Sequence, residues 1–387
     1  MKIQDSEQIK MRITNKSYKP VNFTENKKFS ITFKIVFSFL IFIFIFFILD
    51  SRMKNLNKSL KTIFPEKLMN NKKNEKVFLS KLREIFDKDE ILENEIMNKH
   101  TTFKLGGPAK FFIKPKSINK IIKALKLCKY YAIDYFILGN GSNLLVSDKG
   151  FDGLIININE DNFSNLKVEK LDDINYKVIV GGGMLMRTLA KNLCLLSLSG
   201  LEDIIDIPGT IGGGIIMNAS AGLIKQIIYN SLDKVKVITP EGEMKELSKN
   251  ECKLRDRGSM LKDNKYLIYE ATFNLIKEDK MIIQKIMADH TSQRYSRQPM
   301  YFPSAGSFFV WLKPKFGSLY EKYKENNLVG YRVGDAMVYT YNIAFIVNLG
   351  NCKSSDVYEI VTHIEKIFLD KYKIEIMREV VVLGSFS

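Results

Sequence analysis

The sequence is poor in the residues that build metal centres and disulfide frameworks. Among 387 residues there are four cysteines (Cys128, Cys194, Cys252, Cys352) and three histidines (His100, His290, His363). The cysteines stand singly, without C-x-x-C spacing, which argues against a disulfide scaffold or a zinc site and fits a reducing compartment. No two histidines are near each other in sequence, so a multi-histidine centre is not expected and no metal is assigned. Glycine is missing from the first 105 residues, and all 23 lie at Gly106 or beyond. Turn-rich, structured sequence is therefore expected from about residue 77. Beyond that point there are no repeats and no low-complexity linkers.

The net charge of +16 is unevenly spread. Residues 1–83 carry 18 Lys and Arg against 6 Asp and Glu, while the rest carries 41 against 37. The basicity thus belongs to a leader, and a nearly neutral body argues against a nucleic-acid partner. Within the leader, Ile35–Leu49 is apolar apart from Ser38, and the run reaches 21 residues if counted from Phe29. The strictly apolar part is shorter than the roughly 20 residues of a spanning helix. About 34 polar residues precede it and no small-residue cleavage site follows, so it is not read as a signal peptide. Each flank (Lys16–Lys34 and Asp50–Lys67) holds five basic residues, so charge gives no orientation. Two readings stay open: 29–49 anchors the protein in a membrane, or translation starts at Met53 or Met69 and the leader is never made. Any membrane contact runs through this 1–76 extension.

The body alternates helical and extended patterns. Apolar residues at 78, 79, 82 and 86 predict a helix over Val77–Asp89, and those at 118, 121, 122 and 125 another over Ile118–Tyr130. A third is expected at Met184–Leu196 and a fourth at Ser355–Tyr372. Strands are expected at Phe111–Ile113, Tyr135–Leu138, Leu154–Ile158, Val178–Val180, Lys234–Ile238, Tyr266–Leu275, Phe345–Asn348 and Val380–Leu383. This mixture, with antiparallel-looking hairpins, predicts an α+β fold.

Four glycine-bearing segments interrupt the pattern: Thr102–Ala109 (TFKLGGPA), Ile137–Ser147 (ILGNGSNLLVS), Gly181–Gly183 and Ile207–Ala219 (IPGTIGGGIIMNA). Glycine lets backbone N–H groups approach an oxyanion, and successive N–H groups in a tight turn form an anion-binding nest. Gly139-Asn140-Gly141-Ser142-Asn143 follows an apolar strand, a suitable setting for a pyrophosphate. Position 144 is leucine, so it is not the Rossmann G-x-G-x-x-G fingerprint. Taken singly, each segment is an ordinary turn. Their order together is far more specific.

The blocks HTTFKLGGPAKFF, ILGNGSNLLVSDKGFDGLII, GLEDIIDIPGTIGGGIIMNASAG and PSAGSFF resemble those of UDP-N-acetylenolpyruvoylglucosamine reductases, from about residue 85 to the C-terminus. The resemblance implies a two-part FAD-binding domain of the vanillyl-alcohol-oxidase type followed by a smaller α/β substrate domain. It would place the first FAD subdomain at 77–160, the second at 161–285 and the substrate domain at 295–387. The implied cofactor is noncovalent FAD, with NADPH as co-substrate. The implied flavin contacts are Gly106, Gly107, Gly139, Asn140, Gly141, Ser142, Asn143, Ile207, Pro208, Gly209, Thr210, Gly212, Gly213, Asn218 and Ala219. The implied partner is UDP-N-acetylglucosamine enolpyruvate, reduced to UDP-N-acetylmuramate in peptidoglycan precursor synthesis, with the catalytic body in the cytoplasm.

Such a reaction asks for a cation facing a developing enolate, a proton donor and an acidic or polar partner. By resemblance Ser307 in PSAGSFF is the proton donor and Glu379, five residues before Gly384, the acidic partner, with Glu375 a rival. The family's Tyr-Arg-x-Ser block aligns with CKLRDRGSML so that Arg257 is the cation and Asp256 stands for the tyrosine; Arg255 is the alternative. Two further departures follow. Ser307-Phe-Phe-Val-Trp-Leu-Lys313-Pro314 replaces the usual S-F-F-K-N-P, and YTYNIAF (339–345) replaces a Lys-His-Ala-Asn-Phe stretch. The short spacing of Arg257 and Ser307 resembles the class lacking an extra tyrosine-bearing loop. Two alternatives remain at this point: a flavoprotein oxidase of the same fold, or a membrane-tethered non-catalytic protein.

Overall fold

The computed structural model describes residues 71–158, 161–219, 227–310 and 318–386. The apolar run 29–49, both alternative starts, Lys313 and Pro314 lie outside the described residues. Among the described residues, no helix is long and apolar enough to cross a membrane.

The first sheet uses β1 (Ile91–Ile96), β2 (Pro108–Ile113), β3 (Tyr135–Leu138) and β5 (Phe151–Asn157), with β4 (Leu144–Val146) between the last two in sequence. The order is β1-β2-β5-β3, parallel among β2, β5 and β3 and antiparallel at the β1 edge. Parallel strands need a covering crossover, and helices α1 (Asn71–Ile85) and α2 (Ile118–Tyr131) supply cover. The α2 helix starts where the Ser117 hydroxyl accepts from the Lys120 amide, and ends at Ala132 in a left-handed conformation. Its buried stripe, Ile121, Ala124, Leu125 and Cys128, packs with Phe78, Leu82, Leu154 and Ile156. Each such side chain removed from water contributes about 1.5–3 kcal/mol.

The second sheet is antiparallel: β6 (Leu166–Lys170), β7 (Asn175–Gly181), β8 (Leu198–Ser199), β9 (Leu232–Ile238), β10 (Met244–Ser248) and β11 (Leu267–Lys277). Its order is β10-β9-β11-β7-β6, with β8 also on β11. Helices α3 (Met186–Leu195), α4 (Ile211–Ile216), α5 (Ile227–Ser231) and α6 (Met260–Asp263) belong to this segment. The α4 helix lies so close to the sheet that a Cβ on Gly212 would sit 3.1 Å from the Gly182 carbonyl oxygen and 3.2 Å from that of Ile268.

Helix α7 (Lys280–Arg297) leads on to α8 (Leu319–Glu325) and a small sheet of β12 (Arg332–Val333), β13 (Ala336–Val338) and β14 (Ile346–Asn348). Helix α9 (Ser354–Tyr372) buries Val357, Ile360, Val361, Ile364 and Phe368 in the core that also holds Phe308, Val338 and Ile346. The chain does not end there. The strand β15 (Val381–Leu383) returns to the first segment and runs parallel to β4, with Val381 opposite Leu144 and Leu383 opposite Val146.

The α+β expectation holds, and every helix and strand expected above is present; most ends shift by up to three residues, while the first helix lies at Asn71–Ile85 instead of Val77–Asp89. The sequence reading passed over β1, β4, β6, β8, β10, β12 and β13, and helices α4 to α8. Strands β1 and β6 present half-exposed charged faces, such as Glu93 and Lys167, whereas β4 is buried throughout and only three residues long. The 18-residue α7 fully buries only Ile283, so it has almost no apolar stripe to read. It also runs through the interval 285–295 that the resemblance left between domains.

Candidate active site

The Gly139–Asn143 turn is shaped by contacts on both sides. Gly141 has φ +60°, and a Cβ there would lie 2.1 Å from the His100 carbonyl oxygen, so the turn excludes a side chain. A Cβ on Gly139 would lie 2.5 Å from the Thr210 hydroxyl. Asn140 donates from Nδ2 to the Pro208 carbonyl at 2.6 Å, clasping this turn to the segment starting at Ile207. Among the described residues, the amides of Gly141, Ser142 and Asn143 donate to no backbone carbonyl. A run of such donors is what an oxyanion needs.

Both segments border one cavity of about 1140 Å³. That exceeds the roughly 300–1,000 Å³ of ordinary small-molecule sites. Ser307, Arg257 and Glu379 line it together with Gly139–Asn143, Ile207–Thr210, Gly213 and Ala219. Gly106, Gly107, Gly212 and Asn218 do not. A Cβ on Gly106 would press on Met97 and Val146, and one on Gly107 on the Asp148 carbonyl. Asn218 is buried and donates to the Arg255 carbonyl. None of the three histidines or four cysteines lines the cavity. His100, for instance, bonds Glu95 and packs on Phe112.

Backbone pairing brings the three side chains together. The Phe308 amide donates to the Ala344 carbonyl, and the Glu379 amide to the Phe308 carbonyl at 2.8 Å. The Asn143 Nδ2 group donates to the Glu379 carbonyl at 3.1 Å, and the Val381 amide to the Asn143 carbonyl. Glu379 therefore stands between the glycine turn and the serine strand. From the second sheet, Arg257 reaches it with Nε 3.2 Å from Oε1. Arg257 sits on the tight turn 255–258 with φ +54°, a left-handed conformation uncommon outside glycine. Arg255 points elsewhere, into an exposed ion pair with Asp263 at 2.6 Å, and does not line the cavity. Glu375 does not line it either.

The Glu379 side chain is only 14% exposed. Burial pushes its pKa up, the Arg257 charge opposes this, Asp256 adds to it and Lys262 opposes it, leaving the group at about 7. A carboxyl so placed is close to half-protonated in neutral solution.

Sequence reasoning did not single out Lys262, Lys265, Arg187, Asp206 or Arg294, all of which line the cavity. Arg187 pairs with the buried Asp206 at 2.9 Å, and Asp206 also accepts from Thr291 on α7. Burial lowers the pKa of Arg294, whose Nε has no hydrogen-bond partner among the described residues. The faint amphipathicity of α7 hid this arginine; Lys262 was visible as the basic residue three positions after Ser259. Among the described residues no group of three His, Cys, Asp or Glu side chains could hold a metal.

The fold and this cavity define an FAD-dependent oxidoreductase. An FAD-binding-domain model matches residues 109–248, and a model of the UDP-N-acetylenolpyruvoylglucosamine reductase C-terminal domain matches 298–383. The reductase of that name from Clostridium novyi is 36% identical over 309 residues, covering 79% of this chain and 96% of its own. The one from Carboxydothermus hydrogenoformans is also 36% identical, over 298 residues, covering 76% and 94%. The crystal structure of the Thermus caldophilus enzyme superposes with a TM-score of 0.61 at 27% identity, covering 76% of this chain and 98% of that one. The chain belongs to the UDP-N-acetylenolpyruvoylglucosamine reductase family.

Two measurements test the site. Gly141→Val should purify with most of its flavin lost, because the new side chain meets backbone. Gly209→Val should lose less, since a Cβ there meets chiefly the movable tip of Met186. Equal, full occupancy in both would misplace the cradle. The second concerns pH. The Glu379 pKa is raised from its ordinary 4.5 to about 7, so protonation favours the folded state and stability declines as pH rises from about 4.5 to 7. Glu379→Gln should flatten that decline in denaturant titrations of the apoprotein. The effect is bounded at about 3 kcal/mol by 1.36 kcal/mol per unit. An unchanged pH slope would place the Glu379 pKa near its ordinary value.

Proposed function

We propose that this protein reduces UDP-N-acetylglucosamine enolpyruvate to UDP-N-acetylmuramate for peptidoglycan precursor synthesis, with NADPH as reductant. The observation carrying this reading is the convergence of Ser307, Arg257 and Glu379 on one cavity with the two glycine segments. FAD would be held noncovalently by 139–143, 207–210 and Gly213, and when bound it would supply the hydride, taken from NADPH, that the enolpyruvyl C3 receives.

The remaining chemistry falls to the chain's own residues. Hydride addition at C3 leaves negative charge at C2, shared with the carboxylate as an enolate. The Arg257 guanidinium, largely shielded from water, stabilises that charge in place without solvent reorganisation. The Ser307 hydroxyl gives its proton to C2, completing the net addition of hydride and proton. Glu379, near half-protonation at pH 7, orients Arg257 and provides a proton source for the site. Arg255, tied to Asp263 outside the cavity, takes no part.

The body works on the cytoplasmic side, where NADPH and the nucleotide substrate are found, and any membrane contact is confined to 29–49. Protease added to intact cells should leave the body whole; its digestion would contradict this placement.

Ser307 acts only after hydride has reached the substrate, so its loss should separate the half-reactions. In a stopped-flow instrument, Ser307→Ala should be reduced by NADPH at close to the normal rate. Its reoxidation by the enolpyruvyl substrate should slow by about 10²-fold or more. Arg257→Ala and Glu379→Ala should show the same pattern, and Arg255→Ala should be mild. Slow reduction with normal reoxidation in Ser307→Ala would remove the serine from its role. Flavin that oxygen reoxidises but the sugar nucleotide does not would favour the oxidase reading.

A further inference from the structure

Two aromatic rings stand at the mouth of the cavity, and two more adjoin them. Tyr301 and Phe302 line it, and both reach solvent: Tyr301 is 88% exposed and Phe302 38%. Phe302 packs on Tyr339 with ring centroids 6.2 Å apart, and Tyr339 on Tyr341 at 5.7 Å. Tyr341 is again 88% exposed. Tyr339 also rests on the small core of Ala344, Phe345 and Val347, whereas the exposed rings of Tyr301, Phe302 and Tyr341 leave apolar faces uncovered.

The row is a built surface. Asn342 donates from Nδ2 to the Arg297 carbonyl at 2.8 Å, tying the 339–345 turn to the end of α7 from which the Tyr301 loop springs. That turn closes on itself through Tyr339 N to Phe345 O and Phe345 N to Asn342 O. It is joined in turn to the serine strand, since Ser307 bridges Phe345 and the Phe308 amide donates to Ala344. A ligand whose reacting end touches Ser307 therefore has this ridge within reach, because the five residues from Phe302 to Ser307 span at most about 18 Å.

We infer that Tyr301, Phe302, Tyr339 and Tyr341 form the stacking surface for the pyrimidine base of the sugar nucleotide. This deepens the proposed function and rests on it. The vinyl group and the base are at opposite ends of that substrate, with the hexose and the diphosphate between them. With the vinyl carbon at Ser307, the base must stand off toward the mouth, where flat apolar faces await a flat ring. Base-on-aromatic stacking is tolerant of ring identity and strong enough to set affinity. Affinity gained at the remote end acts on binding, not on the hydride or proton step.

The test uses the full-chain holoenzyme with Tyr301→Ser and Tyr341→Ser, singly and combined; both side chains project into solvent, so the fold stands without them. The concentration of enolpyruvyl sugar nucleotide giving half-maximal flavin reoxidation should rise about tenfold in the double variant, with the limiting rate unchanged. Half-saturation by NADPH in the reduction half-reaction should stay as in the wild type. By calorimetry, UDP should bind the oxidised double variant about tenfold more weakly, while inorganic diphosphate binds both proteins alike. Tyr341→Phe, which keeps the ring, should behave as wild type. Unchanged UDP affinity overturns the proposal, as does an equal loss for inorganic diphosphate, or a rise in NADPH half-saturation alone. Wild-type holoenzyme that the sugar nucleotide fails to reoxidise would sink the functional reading instead, and the UDP arm would still decide the ridge.

Discussion

The site depends on the C-terminal segment being gripped from two sides. On one side, Val381 and Glu379 bond Asn143, and β15 pairs in parallel with β4. On the other, the Glu379 and Val310 amides pair the segment with the serine strand. Three stretches far apart in sequence thereby become one hydrogen-bonded unit, with Asn143 and Glu379 separated by 236 positions. A three-residue parallel pairing is weak alone. It persists because Val381 and Leu383 pack on the buried Leu144 and Val146, and Val380 lies in the core of the third segment. One strand thus joins two cores and holds a carboxyl between them.

That carboxyl is poised by opposed effects, of which burial is the larger. Burial favours the neutral form and raises its pKa, and the Arg257 charge opposes that rise without cancelling it. Asp256, exposed on the same turn as Arg257, brings a like charge that works with burial. The turn 255–258 therefore delivers both the countercharge and its partial antidote. The left-handed backbone at Arg257 carries a cost of about 1–3 kcal/mol of the kind found at functional sites, and it is the geometry that aims the guanidinium inward while Arg255 turns out to Asp263.

Much of this was legible in the sequence, for physical reasons that differ by element. Helices α2 and α9 have clean apolar stripes because each covers a sheet or strand pair on one face only. The glycine segments were visible because a Cβ would meet the His100 backbone at Gly141 and the Thr210 hydroxyl at Gly139, and would be tight against backbone at Gly212. Hidden were elements whose burial is slight, such as α7 and the charged edge strand β6, and everything that depends on long-range pairing. No local pattern announces that Val381 will bond Asn143, or that Arg187 and Arg294 will gather around Asp206. Choosing between Arg255 and Arg257 likewise needed the turn, since the two differ in direction and not in residue type.

Two of the departures that the resemblance implies fall where such a frame can absorb them. Asp256, in place of tyrosine, is exposed, and Tyr339 and Tyr341, in the YTYNIAF stretch, adjoin the rings at the cavity mouth. The frame itself is made mostly of backbone bonds, Asn143 to Val381 and Phe308 to Ala344 and Glu379, with the Asn140 side chain adding one to the Pro208 carbonyl. Backbone pairing is indifferent to most side-chain replacements, provided glycine stays where a Cβ would collide. Rim side chains can therefore change identity, and with it the way the outer part of a ligand is gripped, while Ser307, Arg257 and Glu379 keep their relative positions.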